Sequence, residues 1–365
     1  MSTTRRTRTP VEEEMTARIS GARRAPEREN KPPPHGGYFN KEVMHPYTGK
    51  GKLLTELFPI ELPEGLVDFT IPVFEDRDWH EEVRGLIPDL SVVENHVWDP
   101  EQLYDFLVGF VLHDRIWLTG PTGSGKTSLP RAVCAVLRIP FIRINGRGDL
   151  ESAHILGGYV VQDGATHWKD GPCTIACKYG GIYLQDEPTA IPAEVSLVYQ
   201  ALLEDNGKLL LTDKAASLGD KIVVPHEWFT FVVADNTRGL GDEKGAFAGT
   251  NVWNTATLDR FGTTIFVDYL DAAKEISILT KVCPQLKPEL AERMVQVAKL
   301  VRAGYEQDDL SLSMSPRPLL SWAKKALLYK DVSRAFKTAF YEKLPNESER
   351  IAVEGIYKTV FDEEV

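Results

Sequence analysis

The chain has 365 residues, of which 42% are apolar and 26% charged, and its formal net charge is -11. These values are ordinary for a globular protein of two or three domains and exclude wholesale disorder or a fibrous repeat. The acidic balance disfavours non-specific binding of nucleic acid over a broad surface. The longest apolar run considered as a span, Phe106 to Leu112, is far short of the roughly 20 residues that a membrane helix needs, so we predict no membrane segment.

Residues 1–56 are predicted to form a flexible polar arm, because they show little periodic apolar pattern and contain Pro32-Pro33-Pro34. The acidic run at residues 12–14 argues against an organelle transit peptide, and no apolar stretch resembles a secretory signal. The four cysteines form neither a disulfide framework nor a zinc pattern, which favours buried or incidental thiols in a reducing cytoplasm. They are Cys134, Cys173, Cys177 and Cys283.

Residues 57–100 consist of short apolar pieces punctuated by prolines, and we predict an extended lead-in that packs on the next domain. Residues 101–270 then alternate helical and strand patterns, which is typical of a parallel sheet with helices on both faces. From 271 to 365 the pattern is helical only and predicts a small all-α domain. The predicted strands are 115–119, 141–145, 181–185, 229–234 and 263–267, and the clearest helices are 100–112, 272–282, 288–305 and 316–329.

A glycine-rich segment between the first strand and the next helix matches G-x-x-x-x-G-K-[ST]. Its glycines let backbone N–H groups converge on phosphate oxygens, and the helix that follows presents unpaired N–H groups and the positive end of its dipole. We expect Lys126 to reach the β- and γ-phosphates of ATP and Thr127 to bind Mg²⁺. The alternative is a chance glycine turn. The predicted nucleotide-binding residues are Gly120, Pro121, Thr122, Gly123, Ser124, Gly125, Lys126, Thr127 and Ser128.

A second signal is a mostly apolar strand that ends in two acids, Asp186 and Glu187, about 60 residues beyond Lys126. A buried strand has little reason to end in adjacent carboxylates unless they meet a cation or a reacting group. We expect Asp186 to hold Mg²⁺ and Glu187 to orient and activate the attacking water. Solvated acids at a strand end are the alternative, which the preceding phosphate loop makes less favourable.

Several further segments accompany these two motifs. They are Ile87-Pro88-Asp89-Leu90, Trp98-Asp99-Pro100-Glu101, Gly109-Phe110, the run from Ala234 to Asp242, Gly249-Thr250-Asn251 and Leu258-Asp259-Arg260-Phe261.

Together these features resemble AAA+ ATPases of the MoxR type, and the cobaltochelatase ATPase subunit in particular, over roughly residues 70–330. The resemblance implies a P-loop AAA+ domain with a five-stranded parallel sheet, followed by a helical lid. It also implies a homo-oligomeric ring, with six subunits expected, that hydrolyses ATP with Mg²⁺.

The resemblance further implies roles for three residues. Asn236 corresponds to sensor 1, Arg260 to an arginine finger that acts on a neighbouring subunit, and Arg317 to sensor 2 in the lid. An ATPase needs cationic charge for the transferring phosphoryl group beyond its lysine and metal. The alternatives are a turn residue for Asn236 and surface ion pairs for the two arginines.

Two hairpins are predicted in the α/β domain. Alternating residues around Asp163-Gly164 indicate the first, and the resemblance implies that it projects towards the ring axis or a partner. Tyr159 and Trp168 are then either contact residues or packing residues. The second hairpin spans 207–224, with its turn around Leu218-Gly219-Asp220.

The leading functional hypothesis is a ring motor that remodels a partner protein. In cobaltochelatase the ring serves a partner with a metal-ion-dependent adhesion (von Willebrand A-like) domain, so the resemblance implies assistance to metal insertion, although no tetrapyrrole or cobalt site is evident in this chain. A nucleic-acid translocase is the alternative that the N-terminal arginines keep open. A nucleotide-gated structural ring with little turnover is a third.

Overall fold

The computed structural model describes residues 46–94, 96–237, 239 and 253–365. Most of the predicted arm lies outside the described residues. So do Arg238, most of the run that follows it up to Asp242, and the segment Gly249-Thr250-Asn251. None of the helices in the described part of the chain is long and apolar enough to cross a bilayer.

The centre of the structure is a five-stranded parallel sheet, as the sequence predicted. Its strands lie in the order 263–266, 116–119, 229–235, 181–186 and 141–145, so that strands distant in sequence become neighbours and their carboxyl ends meet at one edge. Thr119 pairs with Asp235 at that edge, and Asp186 lies between Ala234 and Asn145. The strands are β1 (Lys52–Leu53), β2 (Thr70–Ile71), β3 (Ile116–Thr119), β4 (Phe141–Asn145), β5 (Gly157–Gln162), β6 (Ala165–Asp170), β7 (Gly181–Asp186), β8 (Leu209–Leu210), β9 (Ile222–Val223), β10 (Phe229–Asp235) and β11 (Thr263–Phe266).

Two hydrophobic cores organise the described chain. The first includes the sheet and runs from Leu54 to Val267, and the second is formed by the C-terminal helices from Leu279 to Phe361. The predicted α/β fold followed by a helical region is therefore confirmed. The α-helices are Leu54–Leu57, Glu81–Arg84, Pro100–Val111, Ser128–Leu137, Ser152–Leu156, Pro172–Tyr179, Ala193–Ser196, Leu218–Lys221, Thr255–Leu258, Ala272–Val282, Pro288–Glu306, Pro316–Tyr329, Val332–Ala339 and Glu347–Phe361.

The segment before the sheet packs on the first core through isolated large side chains rather than through a long regular element. Phe58, Phe69 and Trp79 are buried, and the Trp79 indole Nε1 donates a hydrogen bond to the carbonyl oxygen of Arg138, at 2.7 Å. Leu54, within the range assigned to the arm, is also fully buried. All four cysteines are buried free thiols, in agreement with the interpretation favoured by the sequence.

One of the two predicted hairpins is found as expected. Strands β5 and β6 pair antiparallel on either side of Asp163 and Gly164, which have φ of 51° and 77° as a two-residue hairpin turn requires. The predicted turn at 218–220 is wrong, because those residues lie in the helix Leu218–Lys221. The Ser217 side chain accepts a hydrogen bond from the Asp220 N–H and so begins a helix between the short paired strands β8 and β9.

A buried ion pair joins two helices of the C-terminal region. The Arg302 guanidinium donates to both carboxylate oxygens of Glu275, at 2.8 and 2.9 Å, and to the carbonyl oxygen of Met314 at 2.8 Å. The two side chains are 9% and 3% exposed. Removing one partner of such a pair leaves an uncompensated buried charge.

We predict that Glu275→Ala lowers the free energy of unfolding of the C-terminal region by about 3–5 kcal/mol. The matched control is Glu364→Ala, which removes an ion pair with Lys358 in the same region whose side chains are mostly exposed, and which should leave stability nearly unchanged. Urea denaturation of each variant measures the effect. Equal loss of stability in the two variants would contradict the assignment.

Candidate functional site

The loop between β3 and the helix Ser128–Leu137 has a backbone that requires glycine. Gly120, Gly123 and Gly125 have φ of 145°, 77° and 113°, which residues with a Cβ rarely adopt. A Cβ on Gly120 would also lie 2.1 Å from the carbonyl oxygen of Val267. The glycines therefore fix the path of the loop and leave its backbone open to close approach by a ligand.

A buried hydroxyl in this loop lacks an internal partner. The Oγ atom of Ser124 is buried and has no hydrogen-bond partner among the described residues. Leaving such a group unsatisfied costs about 1–3 kcal/mol. This hydroxyl does not line the site cavity, whereas the glycine conformation of the loop lets its backbone N–H groups approach phosphate, the group that this loop motif binds. The residues present thus fit a nucleotide.

Lys126 is held inside the loop. Its ammonium group donates to the carbonyl oxygens of Gly120 and Pro121, both at 2.7 Å, and the residue is only 6% exposed. Burial lowers the pKa of Lys126 to about 8, and the charge of Asp186 opposes that shift. A buried ammonium whose partners are neutral carbonyls is poised to bind an anion.

The two predicted metal ligands lie side by side. The Thr127 hydroxyl donates to Oδ2 of Asp186, at 3.2 Å, and Asp186 is buried at the end of β7. Hydroxyl and carboxylate oxygens are the ligands that Mg²⁺ takes beside a nucleotide. This pair of oxygens fits a magnesium ion, which neutralises phosphate charge when it is bound.

Glu187 directly follows Asp186, after the end of β7. Its backbone is left-handed, with φ of 50° and ψ of 57°, and its side chain is exposed at the edge of the sheet. Partial burial and the neighbouring Asp186 raise the pKa of Glu187, whereas Arg143, Lys126 and Arg317 act to lower it. A carboxylate with a raised pKa accepts a proton more readily, as a general base requires.

A cavity of about 640 Å³ brings most of the predicted site residues together. Asn236 reaches it from the end of β10, and Arg317 from the second position of the helix Pro316–Tyr329. Of the predicted nucleotide-binding residues, Gly120, Pro121 and Ser124 are not in its lining. The predicted residues that line it are Thr122, Gly123, Gly125, Lys126, Thr127, Ser128, Asp186, Glu187, Asn236 and Arg317.

Arg260 is the predicted catalytic residue that lies outside this cavity. Its guanidinium donates to Gln200 Oε1 at 3.3 Å and Glu204 Oε1 at 3.4 Å. Within a single chain it does not take part in the site.

The sequence analysis missed Arg143. This residue lies in the middle of β4, lines the cavity, and its guanidinium forms an ion pair with Oδ2 of Asp186. The available signal was an arginine inside an otherwise apolar strand of a predicted parallel sheet.

The two aromatic residues of the first hairpin have different surroundings, one against the core and one exposed. Tyr159 and Trp168 are cross-strand partners in edge-to-face contact, with ring centroids 5.3 Å apart. Trp168 packs against the first core, whereas Tyr159 is 46% exposed and its hydroxyl accepts a hydrogen bond from the Ala215 N–H. Tyr159 thus links the hairpin to the loop between β8 and β9.

Comparison with known proteins agrees with this architecture. Residues 115–261 match the AAA domain (dynein-related subfamily), and residues 275–359 match the CbbQ/NirQ/NorQ C-terminal domain. The chain is 31% identical to the aerobic cobaltochelatase subunit CobS of Sinorhizobium sp. over 302 residues, which cover 80% of this chain and 87% of that protein. It is 29% identical to the denitrification regulatory protein NirQ of Pseudomonas aeruginosa over 239 residues, which cover 65% of this chain and 85% of that protein.

Among solved structures, the Thermotoga maritima RuvB Holliday junction branch migration motor is 16% identical to this chain, covering 65% of this chain and 64% of that one, with a TM-score of 0.38.

Fold and site together define a P-loop nucleotide-binding domain of the AAA+ class with a helical C-terminal region. The chain belongs to the MoxR-type AAA+ ATPases, the family that includes the cobaltochelatase subunit CobS and the NirQ and NorQ proteins.

We predict that Gly123→Ala weakens ATP binding roughly tenfold or more, because strain at positive φ costs about 1–3 kcal/mol and the new Cβ would lie 2.7 Å from Cβ of Ser315. The matched control is Gly65→Ala, which has φ of 87° and no atom within 4 Å of the added Cβ. It should lose stability without losing affinity. Titration with a fluorescent ATP analogue measures the affinity of the two variants. Unchanged affinity in Gly123→Ala would contradict the prediction.

Proposed function

We propose that this chain binds and hydrolyses Mg-ATP, and that a ring of its copies uses this cycle to remodel a partner protein. The observation that supports it best is the single cavity shared by the phosphate loop, Asp186, Glu187, Asn236 and Arg317. Membership in an ATPase family points to the same chemistry.

Binding is assigned to the loop and its lysine. The backbone N–H groups after Gly123 would bind the phosphates, and Lys126 would exchange its two carbonyl partners for β- and γ-phosphate oxygens. Thr127 and Asp186 would hold the magnesium ion.

Hydrolysis is assigned to the acid and the polar groups around it. Glu187 would orient a water molecule and accept its proton, while Asn236 would hold that water and the γ-phosphate. Arg317 would couple the position of the C-terminal helices to the γ-phosphate, since Ser315 and Pro316 at the start of its helix lie against Gly123 of the phosphate loop.

A ring is supported by the place of Arg260. Its contacts with Gln200 and Glu204 keep it out of the cavity of its own chain. An arginine that acts on the nucleotide of a neighbouring subunit lies outside the nucleotide cavity of its own chain, as Arg260 does. We therefore propose a homo-oligomer, with six subunits expected, in which Arg260 completes the site of the adjacent chain.

The partner is proposed from the relatives. CobS is a cobaltochelatase subunit and NirQ a denitrification regulatory protein, so we propose that this ring serves a metal-loading or maturation complex. A protein with a von Willebrand A-like domain is the proposed link between the ring and its client.

Glu187→Gln is expected to bind ATP with Mg²⁺ normally but to lower turnover by about 10²–10⁴, because the amide cannot accept a proton. The control is Glu194→Gln, a change at an exposed acid outside the cavity, which should turn over normally. Phosphate release and equilibrium ATP binding are measured for both. Normal turnover by Glu187→Gln would remove the proposed base.

Arg260→Ala is expected to bind ATP yet lose turnover by about 10³ or more. Mixing it with Lys126→Ala should restore activity, because the second variant supplies Arg260 to the intact phosphate loop of the first. Exchange of labelled subunits confirms that mixed rings form. Mixed rings without recovered activity would show that Arg260 does not act across an interface.

A further inference from the structure

The ion pair between Arg143 and Asp186 involves the same oxygen that we assign to the metal. Oδ2 of Asp186 accepts the hydrogen bond of the Thr127 hydroxyl at 3.2 Å and also pairs with the Arg143 guanidinium. A magnesium ion beside Thr127 needs this oxygen as its ligand or as the acceptor of a bound water. Guanidinium and metal therefore cannot both use it fully.

The two partners differ in their freedom to move. The Asp186 side chain is 11% exposed and the Arg143 side chain 42%. A buried carboxylate is costly without a cation partner, so Asp186 gains from the guanidinium when no metal is present. Arg143 can swing into the cavity or solvent at little cost, since much of its side chain is already hydrated.

The other cationic side chains of the cavity do not pair with Asp186. Lys126 is tied to the carbonyl oxygens of Gly120 and Pro121. Arg131 and Arg317 line the same cavity but form no ion pair with any residue that the structure describes. The register of β4 and β7 sets Arg143 opposite Leu184, two residues before Asp186, and its long side chain reaches the carboxylate from there.

We propose that Arg143 is a positioning residue of the metal site: its guanidinium occupies Asp186 while no divalent ion is bound, and the ion displaces it when Mg-nucleotide enters. This inference rests on the proposed function, since it needs a metal at Thr127 and Asp186. The guanidinium keeps its proton throughout. Its consequence is that the empty chain binds a free divalent ion weakly and that metal enters with the nucleotide.

The test uses Mn²⁺ as a spectroscopic probe of the full-length protein saturated with a non-hydrolysable ATP analogue. Free Mn²⁺ is measured by electron paramagnetic resonance during a titration, so the readout does not depend on turnover. Arg143→Gln is expected to bind Mn²⁺ roughly two- to fivefold more tightly, as expected for removal of a partly exposed ion pair. Arg143→Ala should show the same gain.

Three controls separate competition from a general loss of positive charge. Arg143→Lys keeps a cation that can pair with Asp186 and should bind Mn²⁺ like the wild type. Arg131→Gln removes a charge from the same cavity without altering the contacts of Asp186, and it should leave the affinity for Mn²⁺ unchanged. In an Asp186→Asn background, Arg143→Gln should no longer change the affinity for Mn²⁺, because the shared oxygen has lost its charge.

Unchanged or weaker Mn²⁺ binding by Arg143→Gln, or an equal gain in Arg131→Gln, would overturn this inference. Either result would leave the proposed function standing as long as the analogue binds. Failure of the wild-type chain to bind the analogue would instead overturn the proposed function itself.

Discussion

The contact between the Thr127 hydroxyl and Oδ2 of Asp186, 3.2 Å long, is the constraint on which the site depends. It joins the loop after β3 to the end of β7, two strands that are separated in the sheet by β10. The contact exists only because the carboxyl ends of these strands are in register and the glycines allow the loop to turn back over them. Sheet order, loop conformation and the proposed metal ligands are thus parts of one arrangement.

The charges around that contact explain why the cavity suits a polyanion. Four cationic side chains and two carboxylates line it, and the carboxylates are adjacent in sequence. Lys126 is buried against neutral carbonyl groups, and Asp186 is buried against a guanidinium. A triphosphate with its divalent ion would give the lysine an anion and the aspartate a closer cation. Both buried charges would then be better compensated than they are by protein groups alone.

Local sequence pattern was sufficient to predict much of the fold and the phosphate-binding chemistry of the loop at 120–127. The strand 141–145 and the helices 272–282 and 316–329 could be bounded because a local signal marks the start of each: Pro140, the capping acid Asp271 and Pro316. The pairing of Arg143 with Asp186 could not be predicted, since it depends on β4 lying next to β7. The helix at 218–221 was missed because the capping bond of Ser217 prevailed over a sequence typical of a turn. The role assigned to Arg260 came from the family resemblance rather than from any local pattern.

The most direct test of the account is equilibrium binding of ATP in the presence of Mg²⁺, compared between the wild-type chain and Lys126→Ala by isothermal titration calorimetry. The account predicts saturable binding by the wild type and loss of that binding in the variant, with the folded structure of both verified by circular dichroism. A folded wild-type chain that does not bind Mg-ATP, or a variant that binds it equally well, would contradict the central claim.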